Sequence, residues 1–369
     1  MKLMKTTEAV GQVLCHDITQ IIPGVKKDAV FRKGHIITKE DIPVLLSVGK
    51  DTIYIWENDE TMMHENEAAE VLYRMSACGT NSIEADAKRH CDDTDSGVFG
   101  GTVSKMHPSP VKEGKIEVIA DCDGLLKVDS EKLKKVNSFG EMMIATRHGN
   151  TTVKKGDKLA GTRIIPLVIK KDKLKEASNI CEDGPILDIK PFVVRKAAII
   201  TTGNEVYHGR IQDAFTPVIE KKIAEFGAQM MFHEVFDDDD KKITDGCLRA
   251  IEAGAEIVFC TGGMSVDPDD KTPLAIKNTG ARIVSYGSPV LPGAMFLLSY
   301  YDAGDRLVPI CGLPGCAMYN KRTIFDIVLP RLMACDMILA DELAGLGEGG
   351  LCLNCDVCTF PNCGFGKGF

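Results

Sequence analysis

The chain has 369 residues, with 44 basic against 53 acidic side chains and a net charge of −9. That is enough for two or three domains with real cores, so its size asks for no disulfide or metal staples. No basic run is longer than Lys170-Lys171 or Lys241-Lys242, and one Trp leaves no stacking platform, which argues against a nucleic-acid binder. Met1 to Val10 holds no apolar h-region, and no apolar run approaches the roughly 18 residues of a membrane span, so a soluble, cytoplasmic protein with no membrane partner is expected.

In chain order, Thr38 to Pro43 reads as a capped helix start, with Thr38 as N-cap, Asp41 at N3 and Leu45 and Leu46 behind it. Gly49 ends that helix, and Thr52 to Trp56 reads as a strand, giving a small α+β domain over 1–60. Residues 62–90 carry helical periodicity broken at Gly79. From Glu113 to Val194 short strands alternate with Gly and Asp turns (Lys115 to Ala120, Leu125 to Val128, Met142 to Thr146, Arg163 to Ile169), so 61–194 is expected as a helix plus a mostly β domain.

The texture changes at Lys196. Apolar strands at 197–201, 230–235, 256–260, 283–286, 295–300 and 307–310 alternate with helices at 215–226, 240–253, 272–278 and 320–335. Such alternation calls for right-handed crossovers and a mostly parallel sheet covered on both faces, an α/β domain over 195–337. Residues 338–351 read as a Gly-rich flexible linker to a Cys-rich tail at 352–369.

Three strands run directly into Gly turns: Thr201-Thr202-Gly203-Asn204-Glu205, Thr261-Gly262-Gly263-Met264-Ser265, and Cys311-Gly312-Leu313-Pro314-Gly315-Cys316. In open α/β sheets the ligand crevice lies beyond the carboxyl ends of the strands. Gly lets backbone N–H groups close on an anion there, and each turn leads toward a helix N-terminus, so the natural guest is a phosphate or pyrophosphate. Neither a Walker A loop nor a GxGxxG fingerprint is present. Glu205, Asp237 to Asp240, Asp267, Asp269 and Asp270 surround the turns, and acids beside a phosphate call for a bridging Mg²⁺. A single such turn is most often only structural, and the Asp237 to Asp240 run is most often a solvated loop with a helix cap at Asp240.

The stretch Thr261 to Pro273 (TGGMSVDPDDKTP) resembles the signature loop of the molybdopterin-binding domain shared by molybdopterin adenylyltransferases and molybdopterin molybdotransferases. Thr202 to Val206 is similar to the molybdotransferase's Thr-Gly-Asp-Glu-Leu, Gly312 to Gly315 to its Gly-Leu-Pro-Gly, and Leu291 to Gly293 to its Lys-Pro-Gly. The resemblance implies a three-layer α/β/α molybdopterin-binding domain with a mostly parallel sheet, preceded by a mostly β region and followed by the tail. It further implies that Thr202, Gly203, Asn204, Thr261, Gly262, Gly263, Ser265, Asp267, Gly312, Leu313, Pro314 and Gly315 cradle free or adenylylated molybdopterin. Glu205, Asp237 and Asp270 would hold Mg²⁺ or act on the phosphoanhydride while molybdate or tungstate is loaded. A homo-oligomer and a molybdoenzyme acceptor are the implied partners. Asn204 stands for the family Asp, Ala214-Phe215 for Ser-Asn, Ala294 for Lys, and Cys316-Ala317 for a polar-Pro pair, changes that weaken turnover more than binding. Two alternatives therefore stand beside the transferase: a non-catalytic pterin carrier or redox sensor, and a pyrophosphatase acting on an ADP-ribose-like substrate.

Of the 14 cysteines, four form Cys352-x₂-Cys355-x₂-Cys358-x₄-Cys363. Three thiolates at this spacing suit an iron–sulfur cube better than the paired ligands of a zinc site, and both metals remain open. Cys260, Cys311 and Cys316 flank the Gly turns and are expected mainly as small buried groups. His16, His64, His107 and His148 show no ligand spacing.

Overall fold

The computed structural model describes residues 2–22, 26–55, 59–79, 105–265, 267 and 270–368. Trp56, residues 80–90 of the expected second helix, and Asp269 lie outside them. The chain forms two compact units, one of 1–121, 128–147 and 155–188, the other of 122–127, 148–154 and 189–369. No helix among the described residues is long and apolar enough to cross a membrane.

In the first unit, strands Lys2–Lys5 and Thr52–Ile55 pair antiparallel over a small core of Leu14, Ile18, Ile37, Leu45 and Ile53. The helix starts two residues later than an N-cap at Thr38 implies, at Asp41–Ser47, and the Asp41 carboxylate accepts from both the backbone N–H and the hydroxyl of Thr38. A second helix, Glu65–Ala77, buries Ala68, Ala69, Leu72 and Met75, and His64 caps it by accepting from the Asn66 amide. A four-stranded antiparallel sheet runs Met106–Pro108, Lys115–Ala120, Lys158–Ile164, Met142–Thr146.

Two expectations for this region need correction. Arg163 to Ile169 is not one strand: the first strand ends at Ile164 and a separate one, Val168–Lys170, pairs with Met62–His64. The stretch read as strands also holds two helices, Ser130–Ser138 and Lys171–Asn179. Both are Lys-rich and bury only Val136 in the first and Leu174, Ala177 and Ser178 in the second, too little apolar surface to show a period.

The second unit is built on a six-stranded sheet. In chain order its main elements are β1 (Lys196–Thr202), α1 (Asn204–Tyr207), α2 (Phe215–Ala224), β2 (Gln229–Phe236), α3 (Asp240–Glu252), β3 (Ile257–Thr261), α4 (Thr272–Asn278), β4 (Arg282–Tyr286), β5 (Leu297–Asp302), β6 (Leu307–Leu313), α5 (Ile324–Met333) and α6 (Ala340–Gly345). The sheet order is β2-β1-β3-β6-β5-β4, parallel from β2 to β6, with β5 antiparallel to both of its neighbours.

Alternation along β1 explains the layers. Ala197 and Ile199 join Ile219, Ile223 and Phe325 of α2 and α5 on one face, while Ala198 and Ile200 join Ile243, Cys247 and Ile276 of α3 and α4 on the other. A strand covered on both faces is a continuous apolar run, and β1 is buried from Ala197 to Thr202. The α/β/α sandwich expected for this segment is present.

The segment expected as a flexible linker is packed instead. Ile338 and Leu343 belong to the same core as Phe325, α6 spans Ala340–Gly345, and the Leu291 amide donates to Gly350 O at 2.8 Å. Its glycines serve close approach: a Cβ on Gly350 would stand 2.4 Å from Pro289 O.

Candidate functional site

The three Gly turns meet because the strands that carry them end in register: Thr201 lies opposite Thr261, and Thr261 opposite Leu313. The turns then press closely on one another, most tightly at Gly262. A Cβ on Gly262, at φ +83°, would stand 2.1 Å from Thr202 O. A Cβ on Gly263, at φ +53°, would stand 2.8 Å from the Thr272 hydroxyl, and one on Gly312 would stand 2.5 Å from the Met264 thioether. The first turn is thus pressed onto the second, and the second onto the third.

Thr272 ties the cluster at the start of α4. Its hydroxyl donates to Gly262 O at 2.9 Å and lies 3.0 Å from the Thr202 hydroxyl, and its amide donates to Gly263 O. The amides of Gly263, Met264 and Ser265 have no hydrogen-bond partner among the described residues. Two side-chain atoms at these strand ends are likewise buried without a partner: Thr261 Oγ1, on a fully buried residue, and Asp237 Oδ1. A buried polar atom left without a partner costs stability unless a ligand answers it.

The remaining expected residues take different places. Gly203, at φ +131°, opens α1, and the Asn204 amide donates to Asp238 Oδ2 at 3.1 Å. Glu205 is exposed on α1. Asp237 gives its other oxygen to Lys242 at 2.7 Å. Asp239, not Asp240, caps α3, accepting from the amides of Lys241 and Lys242. Ser265 and Asp267 are exposed, and Asp270 turns back on its own loop to accept the Asp267 amide at 3.1 Å. Burial and the nearby Asp270 charge hold Tyr286 above its usual pKa, and its hydroxyl donates to Met264 O. Pro314 is buried, Gly315 is exposed, and Leu313 is wholly buried in the sheet core, so its side chain serves packing and only its backbone faces the turn.

Among the described residues no three His, Cys, Asp or Glu side chains gather closely enough to hold a metal ion. Mg²⁺ on a phosphate ligand needs only one or two carboxylates, because the phosphate oxygens complete its shell. The free Asp237 oxygen meets that lower requirement; Glu205 and Asp270 are not brought beside it as a cluster.

One group escaped the sequence reading. Asp213 accepts from the Thr201 hydroxyl at 2.9 Å, the Thr216 hydroxyl at 2.6 Å and the amides of Phe215 and Thr216, with His233 Nε2 3.4 Å away. Burial pushes its carboxyl up, but hydrogen bonds from Thr216 and Thr201 outweigh that and hold it below the usual range. The readable signal was an Asp two residues before a helix start. It fixes the N-terminus of α2 beside the first turn.

The tail cysteines sit elsewhere in the same unit. Cys352 and Cys363 are half-buried against the core, Cys355 and Cys358 are exposed, and all four line one cavity of about 430 Å³ with Tyr319 to Arg322. His64 is a core group: besides capping its helix, its Nε2 lies 3.1 Å from Cys15 O.

The converging turns lie at the carboxyl ends of the strands of an α/β domain, and comparison with known families shows what that domain is similar to. Residues 198–334 match the family described as "probable molybdopterin binding domain", and residues 3–57 match a domain of unknown function. The first of these segments, about 37% of the chain, is therefore similar to a domain described as a probable binder of molybdopterin. Among curated relatives, proteins described as competence-damage inducible are 29% identical over 90 residues in Bacillus velezensis and 26% over 156 residues in Clostridium kluyveri. These matches cover 24% and 37% of this chain and only 21% and 37% of those proteins. Among solved structures, tungsten cofactor synthesizing protein MoaB from Pyrococcus furiosus aligns at 18% identity and TM-score 0.30, covering 38% of this chain and 88% of its own. CinA from Thermoplasma acidophilum, a protein of unknown function by its title, aligns at 18% and TM-score 0.31, covering 38% and 98%.

Proposed function

We propose that this chain binds molybdopterin by its phosphate end at the three Gly turns and serves metal insertion into adenylylated molybdopterin, as a molybdotransferase does. The observation that carries the reading is the buried, unpartnered Thr261 hydroxyl at the end of the strand that runs into Gly263, Met264 and Ser265, whose amides have no partner among the described residues. A phosphate oxygen supplies the acceptors these donors lack. Thr202, Gly203, Asn204 and the Gly312 to Gly315 turn form the remaining walls, with Ser265 and Asp267 at the exposed rim. Asp237 is the best-placed Mg²⁺ ligand, through the oxygen that Lys242 leaves free. Glu205 and Asp270 complete the carboxylate set only if the loops close on ligand. Molybdate or tungstate is then the second substrate, and a molybdoenzyme the recipient.

A specific observation favours the non-catalytic carrier as the second reading: Asp270 is committed to its own loop and Glu205 is exposed on a short helix. One assay separates the readings. Full-length protein is incubated with adenylylated molybdopterin, Mg²⁺ and molybdate, and AMP is measured. Release of AMP that depends on molybdate and falls in Asp237→Asn supports the transferase. Tight pterin binding without AMP supports the carrier. Cleavage of ADP-ribose without molybdate supports the pyrophosphatase, and no pterin binding by folded protein overturns all pterin readings.

A further inference from the structure

The tail packs too well to be a passive extension. Phe365 is buried in the core of the α/β unit and meets the Phe360 ring edge-on, and a Cβ on Gly366 would stand 2.6 Å from Ile327 of α5. The Cys352 amide donates to Leu291 O at 2.8 Å, and the Gly366 amide to Gly349 O at 3.0 Å. Both ends of the cysteine loop are therefore pinned, and the backbone between them turns at Asn354, at φ +49°. The result is one cavity with a thiol at each of Cys352, Cys355, Cys358 and Cys363 and an apolar wall of Leu353, Phe360 and Phe365.

We propose that this cavity binds a [4Fe–4S] cluster through Cys352, Cys355, Cys358 and Cys363. All four thiols border the same space, which is roomy enough for a group several atoms across. The run of C-x₂-C-x₂-C with one more Cys downstream independently matches cluster ligation.

The wall supplies charge as well. Arg322 lines the cavity with Cys358, stacks over the Phe360 ring with its guanidinium 5.1 Å from the centroid, and pairs with Asp326 at 2.9 Å. Asp326 is buried and also caps α5 through the Thr323 amide, so Arg322 is held in place from behind. A cation fixed beside a thiolate favours ligation, because each thiol releases its proton to solvent as its Fe–S bond forms. A preassembled cluster enters whole, so binding needs no redox step. Arg322 is a positioning residue.

The test uses the full-length chain, expressed and purified without oxygen and reconstituted with iron and sulfide. The expected result is about four iron and four sulfide per chain, a broad absorbance in the visible that dithionite bleaches, and loss of both in Cys355→Ser and Cys358→Ser. These two cysteines are exposed, so their variants keep the fold, checked by an unchanged melting transition. Arg322→Gln is expected to keep the iron but shift the cluster's reduction potential downward, which a merely structural residue would not do. One zinc per chain with no sulfide, or no metal in a folded chain, overturns the proposal. Neither result bears on pterin binding, which is read separately.

Discussion

The strand-end turns and the tail cavity would meet a ligand with opposite kinds of group. At the turns these are backbone amides and a buried hydroxyl, set by glycines pressed against their neighbours. In the tail they are side-chain thiols spread around a hollow. Cysteines occur in both places, and their chemistry differs with their surroundings. Cys260 is wholly buried and held far above the ordinary thiol range by its contact with Cys247 at 3.6 Å and by burial, and burial alone raises Cys311 well beyond it. Those thiols are structural. The lesson is that a cysteine count says little until burial divides it.

The sharpest way to break the comparison is at Gly262. Gly262→Ala places a methyl against Thr202 O at a left-handed φ, and should cost roughly 4 kcal/mol in denaturant unfolding while abolishing pterin binding. A stable, binding-competent variant would deny that the turns are locked by glycine.

Next comes Asp336, which anchors the start of the segment leading to the tail. It accepts from Lys127 at 2.8 Å and from Arg331 at 2.6 Å, and pairs with Lys190 at 2.5 Å, while only 7% exposed. Asp336→Ala leaves buried Arg331 short of its partner and should cost about 3 kcal/mol. Burial pushes the Asp336 carboxyl up, but hydrogen bonds from Lys127 and Lys190 and the Arg331 charge overcome it and bring it down to about 2. A pKa depressed in the folded state gives stability that is present above the unfolded value near 4 and lost as pH falls toward 2. Unfolding from pH 5 to 2 should show on the order of 2 kcal/mol of acid loss that Asp336→Asn lacks.

A chemical probe sharpens the contrast between the two sets of thiols. In the metal-free native chain, iodoacetamide should label Cys355 and Cys358, along with the exposed Cys78 and Cys335, and leave Cys260 and Cys311 untouched until unfolding, as read by peptide mass mapping. Bound metal should protect the first pair. The smallest effect on stability belongs to Thr261→Val. Removing a buried hydroxyl that has no partner should raise the stability of the ligand-free chain by about 1 kcal/mol, yet weaken pterin binding roughly tenfold.

How much of this was legible in the sequence follows from burial. The helix Thr272–Asn278 and the buried strand at 196–202 were readable because an element covered by a sheet or by two helix layers must be apolar. Ser130–Ser138 and Lys171–Asn179 were not, since each buries so few side chains that Lys and Glu dominate its pattern. The Gly turns were visible as motifs, but the contacts that lock Gly262 on Thr202 and Gly312 on Met264 join residues far apart in the chain, and only the strand register brings them together. Asp213 was missed for the same reason: its partners Thr201 and His233 come from two other strands. The Gly-rich stretch after Ile338 misled because glycine serves close packing as readily as flexibility.

The central claim is that the Thr261 hydroxyl and its neighbouring amides hold a phosphate of the pterin. Its most direct test is an equilibrium titration of full-length wild type and Thr261→Val with molybdopterin, followed by pterin fluorescence alongside thermal melting. The account predicts saturable binding by wild type, competed by pyrophosphate, and roughly tenfold weaker binding by a variant that melts no lower than wild type. Equal affinity in the two proteins, or no binding by folded wild type, would contradict it.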